Sequence, residues 1–182
     1  MPIQPIVTPR LLLREFVPED FSAVMRYASD PEVTRHMLWG PNGEVETRGF
    51  LNHAIHCQGE ARRTAYELAV ILKDTNELIG GCGIGIVHAD HREGEIGYCF
   101  DKAYWGNGYA TEAARALLSY GFETLKLHRI YATCSPANHG SAHVLEKCGM
   151  QREGVLRQHK WMKGAWRDSF LYSILEQEYQ HG

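Results

Sequence analysis

The run Tyr104-Trp105-Gly106-Asn107-Gly108-Tyr109-Ala110-Thr111-Glu112-Ala113 carries the most chemistry in this chain. Two glycines with one residue between them lead straight into a helical pattern. Such a loop leaves backbone N–H groups unpaired at the positive end of a helix dipole. Glycine allows backbone geometry that other residues resist and lets a ligand approach closely. A pyrophosphate suits that environment. The plainer alternative is a tight strand-to-helix turn that binds nothing, because short glycine motifs are weak signals. A dinucleotide fingerprint needs a third glycine and an acidic residue at the end of the next strand, and both are missing. The P-loop pattern G-x-x-x-x-G-K-[ST] is missing too. Gly80-Gly81-Cys82-Gly83-Ile84-Gly85 resembles a nucleotide loop at first sight, but it runs on into Ile86-Val87-His88, a strand pattern. It reads as a glycine-softened strand with room for a bulge.

Other residues carry chemistry with simpler alternatives beside it. Glu95 is a carboxylate in the middle of an apolar strand, where burial raises a carboxyl pKa toward the range of a general base. The alternative is a salt-bridged glutamate on a sheet face. Asn138 and Ser141 form N-x-x-S at a helix start, which helix capping alone explains. His139 and His143 stand near this motif as catalytic candidates, yet on a short helix such residues are ordinarily at the surface. Cys134 ends a strand and reads as a small buried hydrophobe.

These residues need elements to hold them. Leu11–Phe16 reads as a strand. Pro18-Glu19-Asp20 opens a helix with Phe21, Val24, Met25 and Ala28 at helical spacing, and Asp30-Pro31 ends it. A second helix runs from Glu44 to about Cys57. Between them, His36 to Gly43 is a loop containing Trp39. Tyr66–Leu72 and Glu77–His88 form a hairpin around Lys73–Asn76. In Glu95–Phe100, alternation puts Glu95, Gly97 and Cys99 on one face and Ile96, Tyr98 and Phe100 on the other. The helix after Gly108 carries the stripe Ala114, Leu117, Leu118, Gly121 and Leu125. Arg129–Cys134 is a strand, Asn138–Cys148 a helix stopped by Gly149, and two strands follow, about Met150–Met162 and Arg167–Leu175, around a Lys163-Gly164 turn. Hairpins in the first half and crossover helices in the second predict an α/β (α+β) chain with a mixed sheet.

Composition bounds the function. The chain has 182 residues, 44% hydrophobic and 23% charged, an average globular mix that fits one domain over residues 1–182. Its net charge is −3, without the basic excess usual in nucleic-acid binders. No apolar run is long enough to span a membrane, and the first residues do not read as a signal peptide. The five cysteines include no CxxC pair, so neither a disulfide framework nor a zinc knuckle is expected. Free thiols fit a cytoplasmic location. No metal is expected, because the histidines and cysteines do not form a four-ligand pattern of the zinc-site kind.

Taken together, the region Glu93–Met150 resembles the acetyl-CoA-binding half of the GNAT N-acetyltransferases. Trp105–Ala110 is similar to that family's pyrophosphate motif, [QR]-x-x-G-x-[GA], with Gly108 and Ala110 at the last two fixed positions. Trp105 replaces the usual Gln or Arg, as in the ribosomal-protein N-acetyltransferase branch. The opening Thr8-Pro9-Arg10-Leu11-Leu12-Leu13-Arg14, the run Asp30–Pro41 and the run Asn138–Met150 resemble that branch as well.

The resemblance implies a mostly antiparallel sheet of six to seven strands, splayed between two parallel central strands, with about four helices. It implies acetyl-CoA lying in the splay, with its arm along Tyr98, Cys99 and Phe100. Its pyrophosphate would sit on the amides of Trp105, Gly106, Asn107, Gly108, Tyr109, Ala110 and Thr111, with Asn138 and Ser141 near the arm and sulfur. Acetyl transfer to an amine requires a base, a donor to the carbonyl oxygen and an acid for the thiolate. Glu95 matches the family's strand glutamate base. No tyrosine follows Ser141 where many members carry their acid, which puts Ser141 beside the sulfur. The acceptor is expected to be a protein N-terminal amine or a small amine, held near His36, Trp39, Trp161 and Trp166. A non-catalytic acyl-CoA-binding module is the remaining alternative. Either a monomer or a homodimer is compatible with the sequence.

Overall fold

The computed structural model describes residues 3–179. Its strands are β1 (Ile6–Val7), β2 (Leu11–Glu15), β3 (Ala65–Leu72), β4 (Glu77–His88), β5 (Glu93–Phe100), β6 (Arg129–Cys134), β7 (Gln151–Met162) and β8 (Ala165–Leu175). The α-helices are α1 (Phe21–Ala28), α2 (Glu44–Gln58), α3 (Tyr109–Ser119) and α4 (His139–Lys147). All eight strands form one sheet in the order β1-β2-β3-β4-β5-β6-β8-β7. Every neighbouring pair is antiparallel except β5–β6. That exception builds the site. β5 and β6 pair only from Glu93–Glu95 to Arg129–Tyr131. Past that point β5 stays on β4 to Phe100, while β6 stays on β8 to Cys134, so the two halves of the sheet part.

Alternation along the strands feeds two cores. On one face, Leu11, Leu13, Leu68, Cys82, Ile84, Ile96 and Phe100 pack under Ala113, Ala114 and Leu117 of α3 and Leu145 of α4. On the other, Phe16, Ala69, Ile71 and Cys99 pack under Val24 and Tyr27 of α1 and Leu51 and Ala54 of α2. The expected alternation of β5 holds, with Ile96 and Phe100 in one core and Cys99 in the other. The run Gly80–Gly85 is strand, as expected. β4 is bulged twice, at Ile79 and at Val87, where the registers to β3 and β5 shift. Gly80 is required by close approach, because a Cβ there would lie 2.4 Å from the carbonyl oxygen of Cys99.

Several boundaries differ from the sequence reading. The sheet has eight strands rather than six to seven, because the two-residue β1 is too short to show a period. Pro18–Asp20 is a separate 3-10 turn before α1, and Asp20 there accepts the N–H of Val17 and pairs with Arg14 at 2.7 Å. α3 ends at Ser119 and continues as a π-helical turn over Tyr120–Thr124, so Leu125 falls outside its stripe. Gly121 sits in that turn because a Cβ would lie 2.5 Å from Ile130 and 2.7 Å from Ile84. Among the described residues, no helix is long and apolar enough to cross a membrane, and no cluster of three His, Cys, Asp or Glu residues could hold a metal.

Candidate active site

Where β5 and β6 part, a cleft of about 880 Å³ opens through the sheet. It brings together Glu95, Tyr98, Cys99, Asn138, Ser141, His36 and Trp39 among the residues singled out by sequence, together with Gly97 and Cys134. Gly97 carries no side chain into it, and a Cβ there would meet nothing within 4 Å.

One corner of the cleft is polar and well fixed. Asn138 caps α4, its Oδ1 accepting the N–H of Ser141 at 3.1 Å. The Ser141 hydroxyl lies 3.0 Å from the hydroxyl of Tyr98, which also donates to the Ser141 carbonyl at 3.2 Å. Burial pushes the Tyr98 phenol well above its ordinary range, so this hydroxyl stays protonated and donates. Burial also raises the Cys134 thiol, with the Ser141 hydroxyl bonding to it in opposition. His139 and His143 are exposed on α4 and do not line the cleft.

The opposite corner carries Glu95, half-buried at the last paired position of β5. Its Oε2 accepts from the Tyr131 hydroxyl at 3.3 Å. Burial, then the charge of Glu95, pushes Tyr131 up to about 12. His36 lies in the α1–α2 loop, where burial and then the positive charges of Arg35 and Lys163 lower its pKa and favour the neutral ring. Lys163, at the β7–β8 turn, donates to the Thr34 carbonyl at 2.5 Å and ties the hairpin tip to that loop. Trp161 is not brought to the cleft: it is 60% exposed and meets Trp166 edge-on at 5.5 Å.

The glycine loop lies outside the cleft's lining, at the start of α3. Gly106 and Gly108 have φ of +77° and +81°, the left-handed region that glycine tolerates. The first helical bond runs from Glu112 N–H to Gly108 O, so the N–H groups of Tyr109, Ala110 and Thr111 precede the helical ladder. The Trp105 indole donates to the Phe100 carbonyl at 2.9 Å and fixes the loop to the end of β5. Asn107 braces it with bonds to the carbonyls of Tyr104 and Trp105 at 3.2 and 3.1 Å. Arg10, which sequence reasoning missed, reaches in from the β1–β2 turn. It donates to the Asn107 carbonyl at 2.9 Å and to Glu112 at 2.7 Å. Tyr131 and the Tyr98–Ser141 contact were also missed, because each joins elements far apart in sequence. Glu67, missed as well, could have been noticed as the one carboxylate inside the apolar run Tyr66–Leu72.

Such an arrangement offers bare amides for an anion, a free strand edge in a split sheet, a hydroxyl donor and a carboxylate. Residues 10–151 match the family model described as the acetyltransferase (GNAT) domain. The uncharacterized N-acetyltransferase YnaD of Bacillus subtilis (strain 168) is 40% identical over 174 residues, 96% of this chain and 98% of that protein. A GNAT-family acetyltransferase from Bacillus anthracis has a crystal structure with a TM-score of 0.86 at 39% identity, covering 96% of this chain and 99% of that one. Mycobacterium smegmatis RimJ, in complex with CoA-disulfide, gives 0.83 at 27% identity, covering 98% and 88%. Spermidine N(1)-acetyltransferase of Escherichia coli (strain K12) is 26% identical over 168 residues, 92% of this chain and 87% of that protein. This chain belongs to the GNAT acetyltransferase family. It is an N-acetyltransferase by class, and its relatives' names leave the acceptor open.

Proposed function

We propose that this protein transfers an acetyl group from acetyl-CoA to a primary amine by direct attack in a ternary complex, and that the amine is a protein N-terminus. The observation that carries the donor side is the parted β5–β6 edge leading to the Tyr98–Ser141 corner. The residues present fit acetyl-CoA: the Trp105–Thr111 loop offers amides for its pyrophosphate, and Tyr98, Cys99 and Phe100 offer a strand edge for its arm. Asn138 holds α4 beside that arm. When bound, acetyl-CoA supplies the activated thioester carbonyl. Glu95 takes a proton from the acceptor amine, and Ser141 donates toward the departing sulfur, where negative charge develops.

For the acceptor, the supporting observation is a second groove of about 270 Å³ that shares Val87, Glu95 and Thr133 with the cleft. It continues past Glu95 along Tyr131, Leu171 and Lys160, which gives room for the residues that follow an N-terminal amine. The second reading, a small amine, draws on the relative named a spermidine N(1)-acetyltransferase and on the carboxylates in the cleft. A thiol-release screen with acetyl-CoA separates the two. Peptides with free N-termini, spermidine and benzylamine are the arms. Peptide-dependent release is expected; release with the small amines alone favours the second reading, and no release in any arm overturns the transferase reading.

A further inference from the structure

Three carboxylates line the main cleft: Glu46, Glu67 and Glu95. Two of them have protein partners. Glu46 accepts the N–H of Gly43 at 2.9 Å as part of the α2 cap, and Glu95 accepts the Tyr131 hydroxyl. Glu67 differs. Among the described residues, no N–H or O–H donates to its carboxylate, and no ion pair reaches it. The nearest opposite charges, His53 and Arg63, act through space only. Arg63 is committed elsewhere, to the Glu15 carboxylate and to the Ala65 carbonyl.

The sheet places Glu67 deliberately close to the reaction corner. In register, Glu67 of β3 faces Gly83 of β4, and Gly83 faces Gly97 of β5. The carboxylate lies across Gly83, where a Cβ would sit 2.7 Å from Oε2. Gly97 leaves the next position open. A trench without side chains thus runs from Glu67 to the β5 edge where the sheet parts, a span of about two inter-strand spacings, or roughly 10 Å. A carboxylate taken from water without donors raises the free energy of the folded protein. Burial accordingly holds the Glu67 carboxyl above its usual range. The charges of His53 and Arg63 offset this only in part and no donor bonds the carboxylate, which fits a group kept for a ligand rather than for stability.

We propose that Glu67 binds the acceptor amine in its ammonium form, as a specificity-determining residue of the cleft. This rests on the transferase reading above. It defines the substrate class as amines that are cationic in solution, delivered along the glycine trench to Glu95 and the Ser141 corner.

The test uses the full-length protein and whichever amine of the screen gives the highest rate. Glu67→Gln keeps shape and removes charge; Glu67→Met removes polarity as well. In both, kcat/KM for the amine falls about ten- to a hundredfold, the size of a lost charge-assisted hydrogen bond, mainly through KM. The KM for acetyl-CoA stays within twofold. The melting temperature of the free protein rises in both, by about 2 to 4 °C, because an uncompensated charge is gone. A structural glutamate moves melting the other way. If melting falls, or if kcat/KM for the amine is unchanged while the wild type is active, the proposal is overturned and the transferase reading stands. If the wild type releases no thiol with any amine, both fall together.

Discussion

The Tyr98 hydroxyl lies 3.0 Å from Ser141 Oγ, so a phenol rooted in β5 reaches the first turn of α4 across the gap where the sheet parts. Tyr98 packs against the core under α3 and α4 and also lines the cleft. The helix itself carries no tyrosine after Ser141, and the strand supplies one from the other side. Burial keeps Tyr98 protonated, so the phenol always has a hydrogen to share with Ser141, whose carbonyl and hydroxyl oxygens lie 3.2 and 3.0 Å away, and the contact fixes the Ser141 hydroxyl at the cleft.

This geometry predicts coupling between the two residues. Ser141→Ala lowers turnover by about ten- to a hundredfold with little change in acetyl-CoA affinity, since a donor to developing charge acts mainly in the transition state. Tyr98→Phe lowers turnover less, by misdirecting Ser141. The decisive measurement is the double variant. If Tyr98 works through Ser141, Tyr98→Phe has no further effect on turnover once Ser141 is Ala. Multiplying effects would show that Tyr98 acts on its own.

How far the sequence reveals this site depends on range along the chain. Gly106, Gly108, Asn138 and Ser141 are legible because a helix start is local: the glycines, the cap and the following stripe lie within a few residues. Strand faces are legible for the same reason, and alternation places Glu95 with Cys99 correctly. Tyr98 on Ser141, Tyr131 on Glu95 and Arg10 on Asn107 are not legible, because each contact depends on which strands become neighbours. Trp161 shows the converse. Aromatic type marks it for a binding site, but its strand register sends it outward at the hairpin tip. Glu67 stands out within its apolar run, but its place at the cleft is visible only once β4 and β5 set Gly83 and Gly97 beside it.

The glycine loop gives a second prediction. Gly108 has φ +81°, and a Cβ there would lie 3.4 Å from the Arg10 guanidinium. Gly108→Val therefore forces a β-branched residue into the left-handed region, a cost of about 1–2 kcal/mol or more, and crowds the amides proposed above to hold the pyrophosphate. Calorimetry should show CoA affinity at least tenfold weaker in a folded variant. Unchanged affinity would move the pyrophosphate away from this loop.

The Arg10–Glu112 link gives a third. Burial works against the Glu112 charge, but hydrogen bonds from Thr8 and Arg10 outweigh it and hold the carboxyl below its usual value. A carboxyl lowered in the folded state contributes stability above its unfolded pKa and loses it as pH falls through the folded value. Melting temperature in the wild type should thus fall from about pH 4.5 downward partly through Glu112. Glu112→Gln should melt lower near neutral pH and converge with the wild type under acid. Arg10→Ala should also raise the KM for acetyl-CoA severalfold, because the Asn107 carbonyl loses its tether. A constant gap in melting at all pH values would remove Glu112 from the account.

The last prediction concerns Glu95. It ends the only stretch in which β5 and β6 pair, so its carboxylate is held at the apex of the split by Tyr131 and opens to both the cleft and the smaller groove. Tyr131, pushed up to about 12, remains a neutral donor throughout the working range and orients the carboxylate without competing for the proton. Glu95→Gln preserves an oxygen for Tyr131 and abolishes proton acceptance. Turnover should fall on the order of a hundredfold, the usual size of a general-base contribution, while CoA affinity is kept. Tyr131→Phe removes only the orienting bond and should cost a few-fold in turnover. If Glu95 is the base proposed above, the acidic limb of the rate profile should disappear in Glu95→Gln and persist in Tyr131→Phe, because only the first variant removes a proton acceptor. Near-normal turnover with an unchanged profile in Glu95→Gln would transfer proton removal to another carboxylate of the cleft, and Glu67, one glycine trench away, is the group whose replacement would then have to abolish that limb.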